Sequence, residues 1–230
     1  LIDTGSKTLR HEFEPFFKEA DFNKIVLTHF HEDHTGNAAM LQQQYGAPIF
    51  IHQMATHLTE QQQRVPLYRQ QVWGDVEPFS SKPLPRTFQS RNDNWTVIDT
   101  PGHTKDHVSF YNASKGILFT GDLFITPKVR VIIVDENILD TLQSLKKIVT
   151  MDFDEIYCQH AGRLKNPHQM IQLKIDYLEE LEGKVLKLQK EGKDIHEITA
   201  ELFPRINPIV HASNTEWSPV HIVRAFLNQG

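Results

Sequence analysis

The sequence has little of what marks secreted, membrane-spanning or nucleic-acid-coating proteins. Its single cysteine, Cys158, excludes a disulfide within the chain and predicts a reducing, cytoplasmic environment. No apolar run approaches the roughly 20 residues that cross a bilayer, so we expect no membrane partner. The formal net charge of −5 provides no general attraction to nucleic acid, although a local basic groove stays open as an alternative.

Histidine is plentiful: the chain has thirteen, against that one cysteine. Histidine is the commonest metal ligand and the side chain that titrates nearest neutrality, so its spacing indicates where function lies. Three histidines and an aspartate fall between His29 and His34 in the segment THFHEDHTG. This segment directly follows the apolar run 24–27, which predicts a strand that ends at a cluster of metal ligands.

Hydrophobic periodicity predicts a mixed α/β body over residues 1–165 and a helical extension over 166–230. Strands are predicted at 1–4, 24–28, 48–52, 95–100, 107–111, 116–120 and 155–159. Helices are predicted at 8–20, 37–45, 139–150, 167–191, 195–203 and 218–228, and a further one near residue 53. Residues 61–94 are polar and lack a sustained period, which predicts a long surface connection.

The histidine cluster has the spacing for two metal ions. Alternate side chains of an extended chain share a face, so His29 and His31 can bind one divalent ion together. Asp33 and His34 follow where a turn can aim them at a second ion. A lone HxH pair is usually two surface histidines that bind no metal. The full HxHxDH pattern at a strand end is a much more specific sign of a metal site.

Three further candidate ligands come directly after predicted strands. They are His103 in DTPGHTKDH, Asp122 in FTGDLF and His160 in IYCQHAG. In α/β folds such strand ends gather at one edge of a sheet, where ligands bind. We therefore predict two sites joined by a bridging carboxylate: His29, His31 and His103; Asp33, His34 and His160; and Asp122 as the bridge.

This donor set is rich in nitrogen, contains oxygen and lacks sulfur. It suits two zinc ions, with iron or manganese as alternatives. Two divalent ions about 3.5 to 4 Å apart share a hydroxide, lower the pKa of water toward 7 and polarise a carbonyl or phosphoryl oxygen. The set therefore predicts metal-dependent hydrolysis.

These motifs resemble those of the metallo-β-lactamase superfamily, from residue 1 to about 163. The resemblance implies an αββα sandwich of two mixed β-sheets flanked by helices, to which this chain adds its C-terminal helical extension. It implies the same seven metal ligands and adds Asp3 of LIDTG as a support behind them. Members commonly have one or two strands and a hairpin before the DTG segment, so we expect either that the chain is truncated or that its first sheet is completed differently.

The resemblance also narrows the function. True β-lactamases of the family lack the aspartate at position 122 or replace it with cysteine, which argues against antibiotic hydrolysis. Flavodiiron members have an acid at the position of His31, which argues against a redox role. The donor set is similar to that of glyoxalase II, the N-acyl homoserine lactonases and RNA-processing nucleases, and TPGHTKDH with a helical extension resembles the lactamase-β-2-like proteins.

The leading hypothesis is a binuclear zinc hydrolase of a small ester, thioester or lactone, which acts through a metal-bridging hydroxide that Asp33 and Asp122 orient. The acidic net charge favours such a small-molecule substrate. The alternative is a metal-dependent phosphodiesterase or endoribonuclease acting on single-stranded RNA. A non-catalytic protein with a structural metal is disfavoured, because structural zinc needs no open site.

Other residues carry weaker expectations. Lys128 and Arg130, in TPKVR, either contact an anionic substrate group or lie in a solvated loop. Tyr68, from the long connection, is a candidate oxyanion donor, and Tyr157 is the alternative. His107 is interpreted as a structural residue or a support of the ligands rather than a proton donor. Cys158 is interpreted as a core residue rather than a nucleophile.

The last helix is expected to begin after the N-cap Ser218, with Pro219 at its first position. Its broad apolar surface is expected to pack into the core, and a homodimer interface is the alternative use.

Overall fold

The computed structural model describes residues 1–228, which form two compact units. The first unit comprises Leu1–Phe88 and Asp106–Val108, and the second comprises Gln89–Lys105 and the described residues from Ser109 onward. The domain boundary predicted near residue 165 stays a prediction, and the last two residues of the predicted extension lie outside the described residues.

The first unit is built on a small parallel sheet. Its strands are β1 (Ile25–Val26), β2 (Ile49–Ile51) and β3 (Ser81–Pro83), in that order across the sheet. Its helices are α1 (Arg10–Glu19), α2 (Glu32–Thr35), α3 (Ala38–Tyr45), α4 (Thr56–Thr59) and α5 (Leu67–Trp73), with short 3₁₀ turns at Lys7–Leu9 and Gln53–Ala55. Both residues of β1 are buried, as expected for the apolar run of a parallel strand.

The second unit has a six-stranded sheet and five helices among the described residues. The sheet order is β10-β9-β7-β6-β5-β4, formed by Gly162–Arg163, Glu155–Cys158, Ile117–Phe119, Val108–Asn112, Asp93–Asp99 and Thr87–Ser90. Two short strands, β8 (Ile132–Ile133) and β11 (Trp217–Ser218), pair antiparallel. The helices are α6 (Ile138–Ile148), α7 (Pro167–Lys190), α8 (Ile195–Leu202), α9 (Pro208–Ala212) and α10 (Pro219–Leu227).

The predicted helical extension shares one hydrophobic core with the strands of this unit. One face of α7 is buried at a spacing of three or four residues, through Ile171, Ile175, Leu178, Leu181, Val185 and Leu188. These side chains belong to the same core cluster as Leu118 of β7 and Ile156 of β9. Residues 167–190 are therefore held by long-range packing rather than by helix propensity alone.

The last helix packs as the sequence predicts. Ser218 Oγ accepts a hydrogen bond from Val220 N at 3.3 Å, and Pro219 occupies the first helical position. Ile222, Val223 and Phe226 are fully buried. The expectation of core packing for this apolar surface is confirmed for the residues described, while the homodimer stays an untested prediction.

The long connection predicted over 61–94 lies largely at the surface, but it contains regular elements that the sequence did not indicate. This segment contains α5, β3, β4 and the first residues of β5. Elements of three to seven residues are too short to establish a hydrophobic period, and β3 is largely exposed. Parallel backbone pairing with β2 stabilises β3 instead.

Three smaller expectations also differ from the structure. The strand predicted at 1–4 is a single bridge between Ile2 and Val26. No strand was expected after residue 163, yet β11 pairs with β8. The helix α9 was not expected either, although Asn207 and Pro208 provide its N-cap and first residue. No helix within residues 1–228 has both the length and the apolar character needed to cross a membrane.

Candidate metal centre

The first group of candidate ligands lies on one loop of the first unit. The chain leaves β1 through Leu27 and Thr28, and His31 becomes the N-cap residue of α2 in an extended conformation. His29 Nε2 lies 3.1 Å from His31 Nδ1. Two nitrogens that coordinate one tetrahedral zinc ion lie about 3.3 to 3.4 Å apart, so this pair has nearly the separation that a shared ion requires.

The next two candidate ligands lie on the first turn of α2. Asp33 Oδ2 lies 3.6 Å from His34 Nε2, and the His34 ring packs 4.1 Å from the His29 ring, measured between centroids. His34 is buried, whereas the side chain of Asp33 is 15% exposed and so retains access to solvent. The first unit therefore carries both pairs of candidate ligands, His29 with His31 and Asp33 with His34, within six consecutive positions.

Asp3 organises these imidazoles from behind. Its carboxylate is buried and accepts hydrogen bonds from Thr28 N at 2.7 Å, from Thr28 Oγ1 at 2.8 Å and from His34 Nδ1 at 2.8 Å. Because Nδ1 of His34 carries that proton, its Nε2 has the lone pair needed for a metal. Thr28 Oγ1 also lies 3.1 Å from His29 Nδ1, and accepting that N–H leaves Nε2 of His29 available in the same way.

Glycine allows this loop to approach the N-terminal segment closely. A Cβ on Gly36 would lie 2.4 Å from Lys7 N and 2.9 Å from Gly5 O, far inside van der Waals contact. The final glycine of THFHEDHTG is therefore required for the loop to reach the segment that carries Asp3.

Asp106 and Val108, the chain neighbours of His107, support the same loop. Asp106 Oδ2 accepts a hydrogen bond from Phe30 N at 3.0 Å, and Val108 N donates to Thr28 O at 2.9 Å. The buried ring of His107 packs 5.2 Å from that of His29. His107 thus lies against a ligand candidate. The sequence analysis did not single out Asp106, although its position beside His107 in TKDH was visible.

A buried ion pair connects α2 to α5. Arg69 Nη2 lies 2.5 Å from Glu32 Oε2, and both side chains are largely buried. Burial raises the pKa of Glu32, and the Arg69 guanidinium opposes that shift. Arg69 also lies 5.8 Å from the Trp73 ring. Tyr68 is half-buried on the same helix, α5. The ion pair between Arg69 and Glu32 therefore holds the helix that carries Tyr68 against the histidine loop.

The second group of candidate ligands comes from three strand ends of the second unit. His103 follows β5, Asp122 follows β7 and His160 follows β9. Strands β7 and β9 run parallel, so they deliver Asp122 and His160 to the same edge of the sheet. Asp122 Oδ2 lies 3.5 Å from His103 Nε2 and 3.1 Å from His160 Nε2.

The turn before His103 depends on glycine. Gly102 has φ +145°, and a Cβ there would lie 2.4 Å from Thr141 N, at the start of α6. The backbone of this turn is thereby fixed against the helix. His103 Nδ1 lies 3.3 Å from Glu136 Oε2, an arrangement in which Nδ1 donates and Nε2 faces Asp122. Glu136 was missed by the sequence analysis because it belongs to no motif.

Cys158 is buried at the end of β9, and burial raises the pKa of its thiol. A neutral, buried thiol is a poor nucleophile, which agrees with the core interpretation.

Lys128 and Arg130 are exposed on the loop that follows Asp122. Between them, Val129 is buried and its carbonyl accepts a hydrogen bond from Tyr177 Oη at 2.7 Å. The pKa of the Glu180 carboxyl is lowered mainly by its hydrogen bond to Lys184, with a smaller contribution from Lys128. The two cationic side chains thus flank a loop anchored on α7.

A family model described as the metallo-beta-lactamase superfamily matches residues 1–160. The chain belongs to the metallo-beta-lactamase superfamily. The match includes all seven candidate ligands and Asp3, since these lie between residues 3 and 160. The family named in the sequence analysis is thereby confirmed.

Among curated superfamily relatives, the chain is 28% identical over 199 residues to the beta-lactamase-like protein 2 homolog of Drosophila melanogaster, covering 81% of this chain and 63% of that protein. It is 26% identical over 200 residues to the hydroxyacylglutathione hydrolase of Shewanella baltica (strain OS195), covering 84% and 68%. The chain thus spans about two thirds of the length of either relative.

A solved superfamily structure has the same fold as this chain. The metallo-beta-lactamase family protein of Thermus thermophilus aligns with a TM-score of 0.70 at 21% identity, covering 98% of this chain and 81% of that one. Because this alignment covers nearly the whole chain, the likeness in fold includes the C-terminal helices.

Proposed function

We propose that this chain hydrolyses a small ester, thioester or lactone at a centre of two divalent metal ions, with zinc as the expected metal and iron or manganese as alternatives. The observation that carries the proposal is the position of Asp122. One oxygen of its carboxylate lies within 3.5 Å of ring nitrogens of both His103 and His160. A carboxylate between two imidazoles is suited to bridge a pair of cations.

The donor chemistry fits such a pair. The imidazoles of His29, His34 and His103 each have a hydrogen-bond partner at Nδ1, so each has Nε2 available as a ligand. Nitrogen and carboxylate donors without sulfur suit zinc, iron or manganese. We assign the first ion to His29, His31 and His103, the second to Asp33, His34 and His160, and the bridge to Asp122.

Bound at these residues, the two ions supply an acidified water and a polarised carbonyl oxygen. The protein itself supplies orientation. Asp3 and Glu136 fix the ring orientation of His34 and His103 through their Nδ1 protons. Asp33 and Asp122 are assigned to orient the attacking water, and the partial exposure of Asp33 gives that carboxylate contact with solvent.

The substrate contacts are also proposals. Tyr68 is assigned as an oxyanion donor because Arg69, its neighbour on α5, is anchored to Glu32 beside the ligands. Lys128 and Arg130 are assigned to an anionic group of the substrate because their loop follows Asp122. The name of the hydroxyacylglutathione hydrolase relative supports an acyl thioester as the first substrate to test. A cytoplasmic setting is proposed from the single, reduced Cys158.

The test compares zinc-loaded wild-type protein with Asp122→Asn. Substrates are an acyl-glutathione thioester, a homoserine-type lactone and a short single-stranded RNA. We expect metal-dependent turnover of the thioester or lactone. Asp122→Asn should lose more than about 100-fold in kcat/KM, since partners of metal ligands alone account for 10- to 100-fold. Asp176→Asn, an exposed change on α7, serves as the matched control and should retain full activity.

Two outcomes would contradict the proposal. Undiminished turnover by Asp122→Asn would remove the bridging carboxylate from the mechanism. Cleavage of the RNA alone, with binding that weakens steeply as salt is raised, would replace the carbonyl substrate with a phosphodiester.

A further inference from the structure

Lys174 is the only buried lysine among residues 1–228, with 4% of its surface exposed. It lies on α7 between the buried residues Ile171 and Ile175, a position where a leucine or methionine would satisfy the helix and the core. An ammonium group in such a place is costly unless charged or polar partners compensate for its desolvation. The groups that surround the ammonium of Lys174 therefore indicate the function of this residue.

Those partners belong to the ligand loops of the second unit. Lys174 Nζ donates a hydrogen bond to the carbonyl of Leu123 at 2.9 Å and lies 5.5 Å from the Phe124 ring. Leu123 directly follows the proposed bridging residue Asp122. The ammonium of Lys174 therefore holds the turn that carries Asp122. It does so from α7, a helix of the predicted C-terminal extension.

The electrostatic environment points the same way. Burial lowers the pKa of Lys174 to about 8, and Glu136, Cys158 and Asp122 oppose that shift. Two of these groups are carboxylates of the candidate centre, since Glu136 bonds to His103 and Asp122 faces it. These groups therefore compensate in part for the desolvation of the Lys174 ammonium.

We propose that Lys174 is a positioning residue of the metal centre, whose hydrogen bond to the carbonyl of Leu123 holds the turn that carries Asp122. This inference rests on the proposed function, because it requires that the centre binds metal. It also gives the helical extension a role at the centre, because α7 supplies the group that holds the turn after β7.

The test uses the full chain with Lys174→Met, Lys174→Gln and the control Lys187→Met, whose side chain is 78% exposed on the same helix. Methionine preserves the length and removes the charge and the donor, whereas glutamine retains a donor without charge. Zinc dissociation constants are measured by competition with a chromophoric chelator. Melting temperatures are measured for the metal-free and zinc-loaded forms of each protein.

We expect Lys174→Met to weaken the binding of at least one zinc ion about 10- to 100-fold and Lys174→Gln to weaken it by a smaller factor. The increase in melting temperature on zinc addition should shrink accordingly, because that increase depends on the affinity of the folded state for the ion. Lys187→Met should stay within about twofold of wild type, since the side chain of Lys187 is largely exposed and its ion pair with Glu191 is screened by solvent.

A purely structural role makes a different prediction. It would lower the melting temperatures of the metal-free and zinc-loaded forms equally and leave the zinc affinity unchanged, and that result for Lys174→Met overturns the inference. If the methionine variant does not fold, an unchanged zinc affinity in Lys174→Gln overturns the inference. Wild-type protein that takes up no divalent metal would instead overturn the proposed function.

Discussion

The two units present their candidate ligands in opposite ways. In the first, four candidate ligands lie within the six consecutive positions 29–34, from the loop after β1 into α2. In the second, His103, Asp122 and His160 come from three separate strand ends and meet only because the sheet brings them together. The first arrangement is a local motif, whereas the second is a product of tertiary structure.

The residues that support the ligands differ as well. Asp3 is 5% exposed and makes three hydrogen bonds of 2.7 to 2.8 Å, two of them to Thr28. Glu136 makes a longer contact of 3.3 Å with His103, and its side chain is 12% exposed. The comparison indicates that the local motif is rigidly fixed from behind, while the assembled group relies on the packing of loops and of α7. The following predictions test that difference.

The largest effect is expected from Asp3→Asn. Asp3 has φ +52°, a conformation that asparagine also tolerates, so the backbone should be preserved. The amide loses the charge and part of the accepting capacity that hold Thr28 and His34. Zinc affinity should fall about 100-fold, at the upper end for such partners, as measured by chelator competition.

The matched control for Asp3→Asn is Asp75→Asn, an exposed change in the same unit. Its zinc affinity should equal that of wild type. An Asp3→Asn variant that binds zinc with unchanged affinity would show that the loop is orientated without its buried carboxylate.

An intermediate effect is expected from Glu136→Gln. Its contact with His103 is longer and less buried than those of Asp3, so the ring should keep its orientation in part. Zinc affinity should fall about tenfold, and Asp135→Asn, an exposed neighbouring change, should leave it unaltered. A loss equal to that of Asp3→Asn would remove the distinction between the two units.

The smallest effect is expected from the double variant Lys128→Met with Arg130→Met. Both side chains are exposed, so any attraction to a substrate is weakened by solvent and by salt. The KM for an anionic acyl ester should rise by about two- to fivefold at low ionic strength and by less at high ionic strength. The KM for a neutral ester of the same acyl group should not change, and an equal rise for both esters would exclude the charge contact.

Some of the fold follows from local patterns, and some does not. The buried stripe of α7 and the cap of α10 could be predicted, because each depends on residues within one helix. The pairing of β3 with β2 could not, because backbone bonds to a distant strand stabilise that largely exposed segment. The helix α5 within 61–94 was missed because its seven residues are too few to establish a hydrophobic period.

The sequence by itself determined the candidate ligands, since histidine is the commonest metal ligand and these residues follow apolar runs. It also determined the family, through motifs that a family model matches over residues 1–160. Only the tertiary structure decided which groups support those ligands. Glu136, Arg69 and Lys174 lie far along the chain from the residues they contact, and their burial and distances arise from packing, which a local pattern does not encode.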